Sequence, residues 1–262
     1  MIRQTVTALT QPAACALSIQ WLVHPQLMPG ARGLIAVEVL RDGETTNLSQ
    51  LTPAESATLV LAGKCAWTGK ADQFLGPGEG VFNPSGTLRG AHNGSEATVL
   101  LTVYGGCSGL EKAPVMRIEQ PDSDGYGCPI ALPADNCLTN FGDGLDTLGG
   151  CAGMGIRWLV TTETVGSQDL VLATSTFIVS GSHDLHRHER ADEFFLVLSG
   201  AGEHVSEYGP TRLTAGDLAF IPAGEWHGFR TDPKIITRTV YGYLGAGSLD
   251  QAGYDLYDGG KQ

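Results

Sequence analysis

The sequence contains no long apolar segment, and this limits where the protein can work. No stretch of its 262 residues is long and apolar enough to span a bilayer. Residues 1–8 also lack the apolar core that a signal peptide requires. We therefore expect a cytoplasmic protein that does not act at a membrane.

Positive charge is scarce as well. The chain has 16 Lys and Arg residues against 28 Asp and Glu residues, which gives a formal net charge of −12. Nucleic acids and anionic membrane surfaces attract basic proteins, so this balance argues against both as partners. No helix-turn-helix pattern is present, which disfavours a DNA-binding regulator. We interpret the acidic excess as a contribution to solubility.

Cysteine pairs of the kind that bind structural zinc are also missing. The chain has six cysteines, and no two of them form a Cys-x-x-Cys motif. Without a secretory signal, free thiols are the expected state. The six are Cys15, Cys65, Cys107, Cys128, Cys137 and Cys151.

Helical periodicity is rare, whereas short alternating apolar runs are frequent. Residues 34–40 and 171–179 are two such runs, and each is followed by a turn sequence. Glycine is abundant, at 36 residues, which suits many tight turns. These features are typical of antiparallel β-barrels and sandwiches, and they predict an all-β protein.

An internal repeat organises the chain. Three blocks recur in the same order: 19–23 as 156–160 and 103–105 as 240–242, both at a shift of 137 residues, and 78–86 as 216–224 at a shift of 138. Such self-similarity indicates that one structural unit is present twice. We therefore predict two copies of one barrel.

Chemistry-bearing residues concentrate in the second copy. His186 and His188 are two apart in a strand-like run, so both rings project to the same side, with Cα atoms roughly 6–7 Å apart. Glu193 opens an apolar run, and His227 follows a second one. Three imidazoles and one carboxylate suit a divalent transition metal ion: Mn, Fe, Co, Ni, Cu or Zn.

The spacing of these residues resembles that of a known family. His186-x-His188-x4-Glu193-x6-Gly200 is similar to the first cupin motif, and Gly216-x5-Pro222-x-Gly224-x2-His227 is similar to the second. The resemblance to the cupin superfamily implies two tandem cupin domains, which are jelly-roll-like antiparallel β-barrels. It also implies that His186, His188, Glu193 and His227 bind one metal ion per chain. Gly181 lies five residues before His186, where the family has six, which predicts a bulge or a shorter turn.

The first copy lacks every one of these ligands. At the shift of the repeat, His186 and His188 fall on Ser49 and Leu51, Glu193 falls on Ser56, and His227 falls on Arg89. The turn glycines and Pro84 persist because they serve the fold. We predict a metal-free first barrel with a structural or dimer-forming role. An anion pocket around Arg89 is the alternative.

These observations divide the chain into three parts. Residues 1–105 form the degenerate barrel without metal ligands, 106–155 form an inter-domain segment that contains Gly, Pro and Cys, and 156–262 form the metal-binding barrel. The middle segment is too long for a passive connection. It either packs across the barrels, with an edge strand through residues 114–118, or is a mobile linker; its apolar residues and cysteines favour packing.

Strand alternation predicts which side chains line a pocket beside the metal. If Glu193 faces the metal, then Phe195 and Val197 on the same strand face inward too, and if His227 does, so does Phe229. On the last strand either 238 and 240 or 239 and 241 face inward, and we include Tyr241 in the pocket. Such a mainly apolar pocket suits a small organic molecule, for example an aromatic compound or a β-dicarbonyl.

Four further polar residues lie near the motifs. We expect His183 to be a surface loop residue, with a proton-shuttling position at the barrel mouth as the alternative. His204 lies on a strand of unknown facing. Glu189 and Asp192 are each adjacent to a ligand, so they should point to the opposite side of their strands.

By resemblance, the most favoured function is that of a metal-dependent dioxygenase, an oxidoreductase acting on a small molecule. Glu193 is the expected catalytic residue because it is the single anionic ligand and can accept a proton. A non-oxidative isomerase, lyase, cyclase or hydrolase uses the same ligands, and a small-molecule binding module is the third possibility. A homodimer is the expected assembly.

Overall fold

The structure is a computed structural model in which nearly all regular elements are β-strands. It describes residues 1–6, 19–46, 49–50, 53–68, 73–93, 97–107, 116–117, 128–131 and 150–258. None of the helices in these ranges is long and apolar enough to span a membrane.

The N-terminal part of the chain supplies the first thirteen strands. They are β1 (Ile2–Thr5), β2 (Ile19–Val23), β3 (Leu34–Leu40), β4 (Ser49–Gln50), β5 (Glu55–Ala62), β6 (Cys65–Trp67), β7 (Gln73–Leu75), β8 (Glu79–Asn83), β9 (Leu88–Arg89), β10 (Ala91–His92), β11 (Thr98–Gly105), β12 (Met116–Arg117) and β13 (Cys128–Ala131). Their main sheet has the order β13-β8-β5-β11-β3-β2, and two small sheets have the orders β10-β6-β7 and β12-β4-β9.

The C-terminal part forms one large sheet and two short helices. The elements are β14 (Cys151–Val160), α1 (Thr162–Val165), β15 (Leu172–Arg187), β16 (Asp192–Ser199), β17 (Ala201–Ser206), β18 (Gly209–Thr214), β19 (Asp217–Ile221), β20 (His227–Thr231), β21 (Thr237–Leu244), α2 (Leu249–Ala252) and β22 (Asp255–Leu256). The sheet order is β1-β19-β16-β21-β15-β20-β17-β18, with β14 and β22 also paired to β15.

The two main sheets share one strand order. The path β8-β5-β11-β3-β2 in the first half corresponds to β19-β16-β21-β15-β14 in the second, and every pairing is antiparallel. The predicted fold class, all-β with two tandem jelly-roll-like antiparallel barrels, is confirmed.

A central apolar core lies between the two sheets. On β3, Ile35 and Val37 belong to this core, whereas Leu34 and Ala36 belong to a separate cluster inside the first half. On β16, alternate residues divide in the same way between the central core and the core of the second half. Both faces of these strands are buried, which explains their almost continuous apolar sequences.

Two buried carboxylates at matching positions join the halves. Glu55, at the start of β5, accepts hydrogen bonds from Ser167 Oγ at 2.5 Å, Asp169 N at 2.8 Å and Leu170 N at 3.0 Å. Asp192, which is the repeat partner of Glu55, accepts one from Arg32 N at 2.8 Å. Each half therefore caps backbone N–H groups of the other half, where they would otherwise be buried without partners.

The strand pairing departs from the predicted boundaries at the start of each of the two barrels. Strand β1 pairs with β19, so Ile2–Thr5 belongs to the sheet of the second half and not to the barrel predicted for 1–105. Two guanidinium nitrogens of Arg3, Nε and Nη2, donate hydrogen bonds of 2.8 to 3.1 Å to the buried Asp217 carboxylate and stabilise this pairing. Strand β14 begins at Cys151, five residues before the predicted start.

Parts of the predicted inter-domain segment lie on the first half. Met116–Arg117 pairs with β4, within the predicted edge strand, and Cys128–Ala131 pairs with β8. The rest of 108–149 lies outside the described residues. Within the described part of the chain, strand pairing therefore agrees with a packed segment.

Three of the six cysteines can be described, and none of the three takes part in a disulfide: Cys65, Cys107 and Cys151. Burial raises the pKa of the Cys65 and Cys107 thiols to about 11, so both are unreactive at neutral pH. Cys15, Cys137 and the side chain of Cys128 lie outside the described residues.

We predict that Glu55→Gln destabilises the protein while Glu203→Gln, at an exposed position of β17, does not. An amide at position 55 cannot accept the full set of buried hydrogen bonds, so the free energy of unfolding should fall by about 1–3 kcal/mol. Denaturant unfolding monitored by tryptophan fluorescence measures both variants. Equal stability of the two variants would show that this contact does not hold the halves together.

Candidate metal centre

The end of strand β15 carries the irregularity that the position of Gly181 predicted. Ser180 has a positive φ of 62°, and the register against β20 shifts between His183 and His186. A Cβ atom at Gly181 would lie 2.5 Å from the carbonyl oxygen of Gly153, so only glycine allows this approach. Beyond the bulge, His186 is the direct cross-strand partner of His227.

Four side chains with ligand atoms converge inside the second barrel. Nitrogens of His186, His188 and His227 and a carboxylate oxygen of Glu193 all lie within 4.8 Å of one another, and all four residues are buried. Glu193 Oε2 lies 2.9 Å from His227 Nε2, 3.0 Å from His188 Nε2 and 3.9 Å from His186 Nε2.

These separations suit one shared ion. Two ligand atoms that are each about 2.1 Å from a metal lie about 3.0 Å apart at a right angle and about 4.2 Å apart when opposite. The three distances from Glu193 fall within this range. Small movements would therefore allow the four groups to bind one divalent ion.

Hydrogen bonds fix the orientation of all three imidazoles. The Nδ1–H of His186 donates to Asp184 O at 2.8 Å and that of His227 to Glu225 O at 2.9 Å, while His188 donates to Gly253 O at 2.5 Å. This directs Nε2 of each ring toward the centre, and it is through a fixed ring orientation of this kind that metal-binding histidines present their ligand atom.

Among the residues that the structure describes, two of these nitrogens have no hydrogen-bond partner although they are buried. They are Nε2 of His186 and of His188, which lie 3.9 and 3.0 Å from Oε2 of Glu193, an acceptor as well. A cation between them would satisfy all three atoms. The residues present therefore fit a divalent transition metal ion.

Electrostatics keep the carboxylate ionised in spite of its burial. Burial alone would raise the pKa of Glu193, but the charge and the hydrogen bond of His227, together with the nearby His188, hold it well below its usual value. Burial likewise opposes protonation of His227, yet the Glu193 carboxylate outweighs it and raises the pKa of His227. At His186 the Glu193 carboxylate offsets burial only in part, and burial, with the neighbouring His183 and His227, lowers the pKa well below the usual value.

An apolar cavity of about 500 Å³, its open mouth included, adjoins the cluster. Three of the four predicted pocket residues line it: Phe195, Phe229 and Tyr241. Val197 does not line the cavity. Val197 follows Phe195 by two residues on β16 and is fully buried in the same apolar cluster. It therefore lies in the core below the cavity and not in its wall. The other apolar lining residues are Met154, Ile156, Trp158, Phe177, Ile221 and Leu249.

Two tyrosines add polar groups to the cavity wall. Tyr241 and Tyr243 both line it, which settles the facing of β21 in favour of 239, 241 and 243. Burial, followed by nearby negative charge, raises the pKa of both phenols well above the usual value, so both remain neutral. The Tyr241 hydroxyl is buried and has no hydrogen-bond partner.

His183 is not a surface loop residue, in contrast to the prediction. It lies on β15, lines the cavity and stacks on His186 with ring centroids 3.8 Å apart. Its Nε2 is 2.9 Å from the hydroxyl of Tyr254, a lining residue that follows α2. No motif in the sequence indicated Tyr254, because only tertiary packing brings it to the site.

His204 also lines the cavity, and the sequence left its facing open. It is 2% exposed, and neither of its ring nitrogens has a hydrogen-bond partner. Burial lowers the pKa of its imidazole to about 3, so the ring is neutral.

The two carboxylates adjacent to the ligands point away from the centre, in agreement with strand alternation. Asp192 accepts hydrogen bonds from Arg32 N and, at 3.0 Å, from Ala223 N. Glu189 is exposed and pairs with Arg187 at 2.5 Å.

The matching region of the first half is built differently. Arg89 is buried, and it donates to Tyr104 Oη at 2.5 Å and to Glu38 at 3.5 Å, so its charge is already paired. Ser56 is fully buried, whereas Leu51 and the side chain of Ser49 lie outside the described residues. Among the residues that the structure describes, the group in the second half is the one with metal-ligand geometry.

Comparison with known proteins agrees with this assignment of the second half. Residues 173–234, which include all four candidate ligands, match the model of the cupin domain. No curated protein sequence matches the chain.

Solved structures resemble the chain along nearly its whole length. Salicylate 1,2-dioxygenase from Pseudaminobacter salicylatoxidans has a TM-score of 0.69 at 12% identity, over 97% of this chain and 87% of that one. Oxalate decarboxylase from Bacillus subtilis has a TM-score of 0.64 at 14% identity, over 98% of this chain and 78% of that one. At identities this low, the structural likeness shows a shared fold and does not by itself show a shared activity.

We predict that His186→Ala, His188→Ala and His227→Ala each abolish stable binding of a divalent ion. Loss of an outer-sphere partner lowers metal affinity by 10–100-fold, so loss of a ligand should exceed roughly 100-fold. His92→Ala, an exposed histidine on β10, is the control and should bind like the wild type. Metal analysis after dialysis provides the measurement. Full metal content in the three cluster variants would contradict the assignment.

Metal affinity should also fall with pH. Because the pKa of His227 is raised, a proton competes with the ion for its Nε2 at neutral and acidic pH. Below that pKa, affinity should fall about tenfold per pH unit, with about one proton released per ion bound. Calorimetric titration with Mn²⁺ in two buffers of different ionisation enthalpy measures both quantities. An affinity that is flat between about pH 5 and pH 8 would contradict this prediction.

Proposed function

We propose that the protein is a metal-dependent enzyme that acts on a small organic molecule. The observation that carries the proposal is the buried group of three imidazoles and one carboxylate at the wall of an apolar cavity. One divalent ion of Fe, Mn, Ni, Co, Cu or Zn per chain would be held by His186, His188, Glu193 and His227.

The proposal treats the chain as a bicupin whose first half is degenerate and metal-free. Support comes from the repeat, from the shared strand order, and from Ser56 and Arg89 at positions that correspond to ligands. The domains are those given above, 1–105 and 156–262 joined by 106–155, with β1 exchanged into the second sheet. The first half then has a structural role or provides the surface of a homodimer.

The side chains around the cluster suit a substrate with an apolar body. Phe195 and Phe229, with ring centroids 4.8 Å apart, form a wall that excludes water from the reacting group. The neutral phenols of Tyr241 and Tyr243 can donate hydrogen bonds to a substrate oxygen. A bound ion would supply Lewis acidity and, when redox-active, electrons for reaction with O2.

Glu193 has the role of catalytic base in this proposal. It is the one anionic member of the cluster, and its low pKa keeps it ready to accept a proton. The imidazoles cannot take this role while their Nε2 atoms hold a metal.

Dioxygenation is the reaction that we favour, supported by the fold shared with a salicylate dioxygenase. The fold shared with an oxalate decarboxylase favours a second candidate, a non-oxidative lyase or related enzyme that uses the same ligands. A small-molecule binding module is the remaining alternative.

Oxygen consumption separates these candidates. Protein reconstituted with Fe²⁺ or Mn²⁺ is incubated with salicylate, with a β-dicarbonyl or with oxalate under 18O2, and products are identified by mass spectrometry. A dioxygenase should consume one O2 per substrate and place both labelled atoms in the product. Turnover without O2 uptake would favour the lyase, and binding without turnover would favour the module.

We predict that Glu193→Gln keeps a folded protein and some metal but loses most turnover. The amide can still contact an ion but cannot accept a proton, so the rate should fall by roughly 100-fold or more. Glu203→Gln is the matched control at an exposed carboxylate and should have the wild-type rate. Metal content and rate are measured on the same samples. A near-normal rate with near-normal metal would remove Glu193 from the mechanism.

A further inference from the structure

His204 is a buried polar residue without an apparent structural use. It lies on β17 and is 2% exposed, and neither Nδ1 nor Nε2 has a hydrogen-bond partner within the described part of the chain. A neutral imidazole carries one donor and one acceptor, and burial of both without partners is unfavourable. An apolar side chain of similar size would pack here without this cost, so the position calls for a functional explanation.

Strand pairing directs His204 into the cavity. Its cross-strand partner is Phe229, whose own cross-strand partner is His183, so the three side chains share one face of the sheet. All three line the cavity. The imidazole is parallel to that of His227, within 2°, with ring centroids 6.0 Å apart.

His204 is nevertheless not part of the metal cluster. The group whose ligand atoms lie within 4.8 Å of one another contains His227 and three other residues, but not His204. His204 therefore forms a second polar point in the cavity, with its ring centroid 6.0 Å from that of His227.

We propose that His204 hydrogen-bonds an oxygen of the bound organic molecule, so that the cavity selects compounds with two oxygen functions on an apolar body. One oxygen function is held at the metal cluster and the other at His204, while the apolar body contacts Phe195 and Phe229. The chemical class is that of hydroxy- or oxo-substituted acids and β-dicarbonyls. This inference rests on the proposed function, and it names the kind of substrate that the same site takes.

Matched probe pairs test the second point of attachment. Salicylate and benzoate differ by one hydroxyl, and 2,4-pentanedione and 2-pentanone differ by one carbonyl oxygen. Binding of each is measured with Co²⁺-reconstituted protein, from changes in the visible Co²⁺ spectrum. The variants are His204→Leu, which removes the hydrogen-bonding atoms, and His204→Gln, which keeps a donor and an acceptor.

In the wild type, at least one two-oxygen probe should bind more tightly than its one-oxygen partner. His204→Leu should abolish this preference with a loss of about tenfold for the two-oxygen probe and little change for its partner, and His204→Gln should retain part of it. Two results would overturn the inference: no preference in the wild type, or an unchanged preference in His204→Leu.

Metal content distinguishes failure of this inference from failure of the proposed function. A wild-type protein that takes up no Co²⁺ would overturn both. Normal Co²⁺ uptake in the wild type and both variants, together with an unchanged probe preference, would overturn the role of His204 alone.

Discussion

Two adjacent carboxylates on β16 connect the architecture to the candidate site. Strand alternation sends Asp192 and Glu193 to opposite faces of the sheet. Asp192 accepts hydrogen bonds from the backbone N–H of Arg32, in the first half, and from that of Ala223, in the turn before β20. Glu193 faces inward among three imidazoles. The strand that anchors one half to the other thus also positions the anionic group of the cluster, so the geometry of the site depends on the contact between the halves.

This arrangement gives the half that we propose to be metal-free a structural role. The central core draws on both sheets, and Glu55 repeats the contact of Asp192 in the opposite direction. Loss of the first half would expose one whole face of β16. It would also remove the Arg32 N–H group that donates to Asp192, the first residue of that strand. In the described part of the first half, Arg89 stands at the position that corresponds to His227 and is paired with Tyr104 and Glu38.

The sequence predicted the fold and the ligand cluster because both follow from local spacing. The repeat predicted two barrels, and the resemblance to the cupin motifs implied the four ligands, of which His186 and His227 are cross-strand partners in the structure. The exchange of β1 was missed because four residues carry no signal for their distant partner. His183 was assigned to a loop because the bulge disguises its strand, and Tyr254 comes to the site from beyond α2 through packing alone.

The central claim is that one divalent ion is bound in the second half by His186, His188, Glu193 and His227. Anomalous X-ray scattering from crystals of Mn²⁺-reconstituted protein tests it most directly. The account predicts a single strong peak per chain, within about 2.0–2.3 Å of the three Nε2 atoms and a Glu193 oxygen. A peak beside Ser56 or Arg89, or no peak within reach of the three imidazoles, would contradict it.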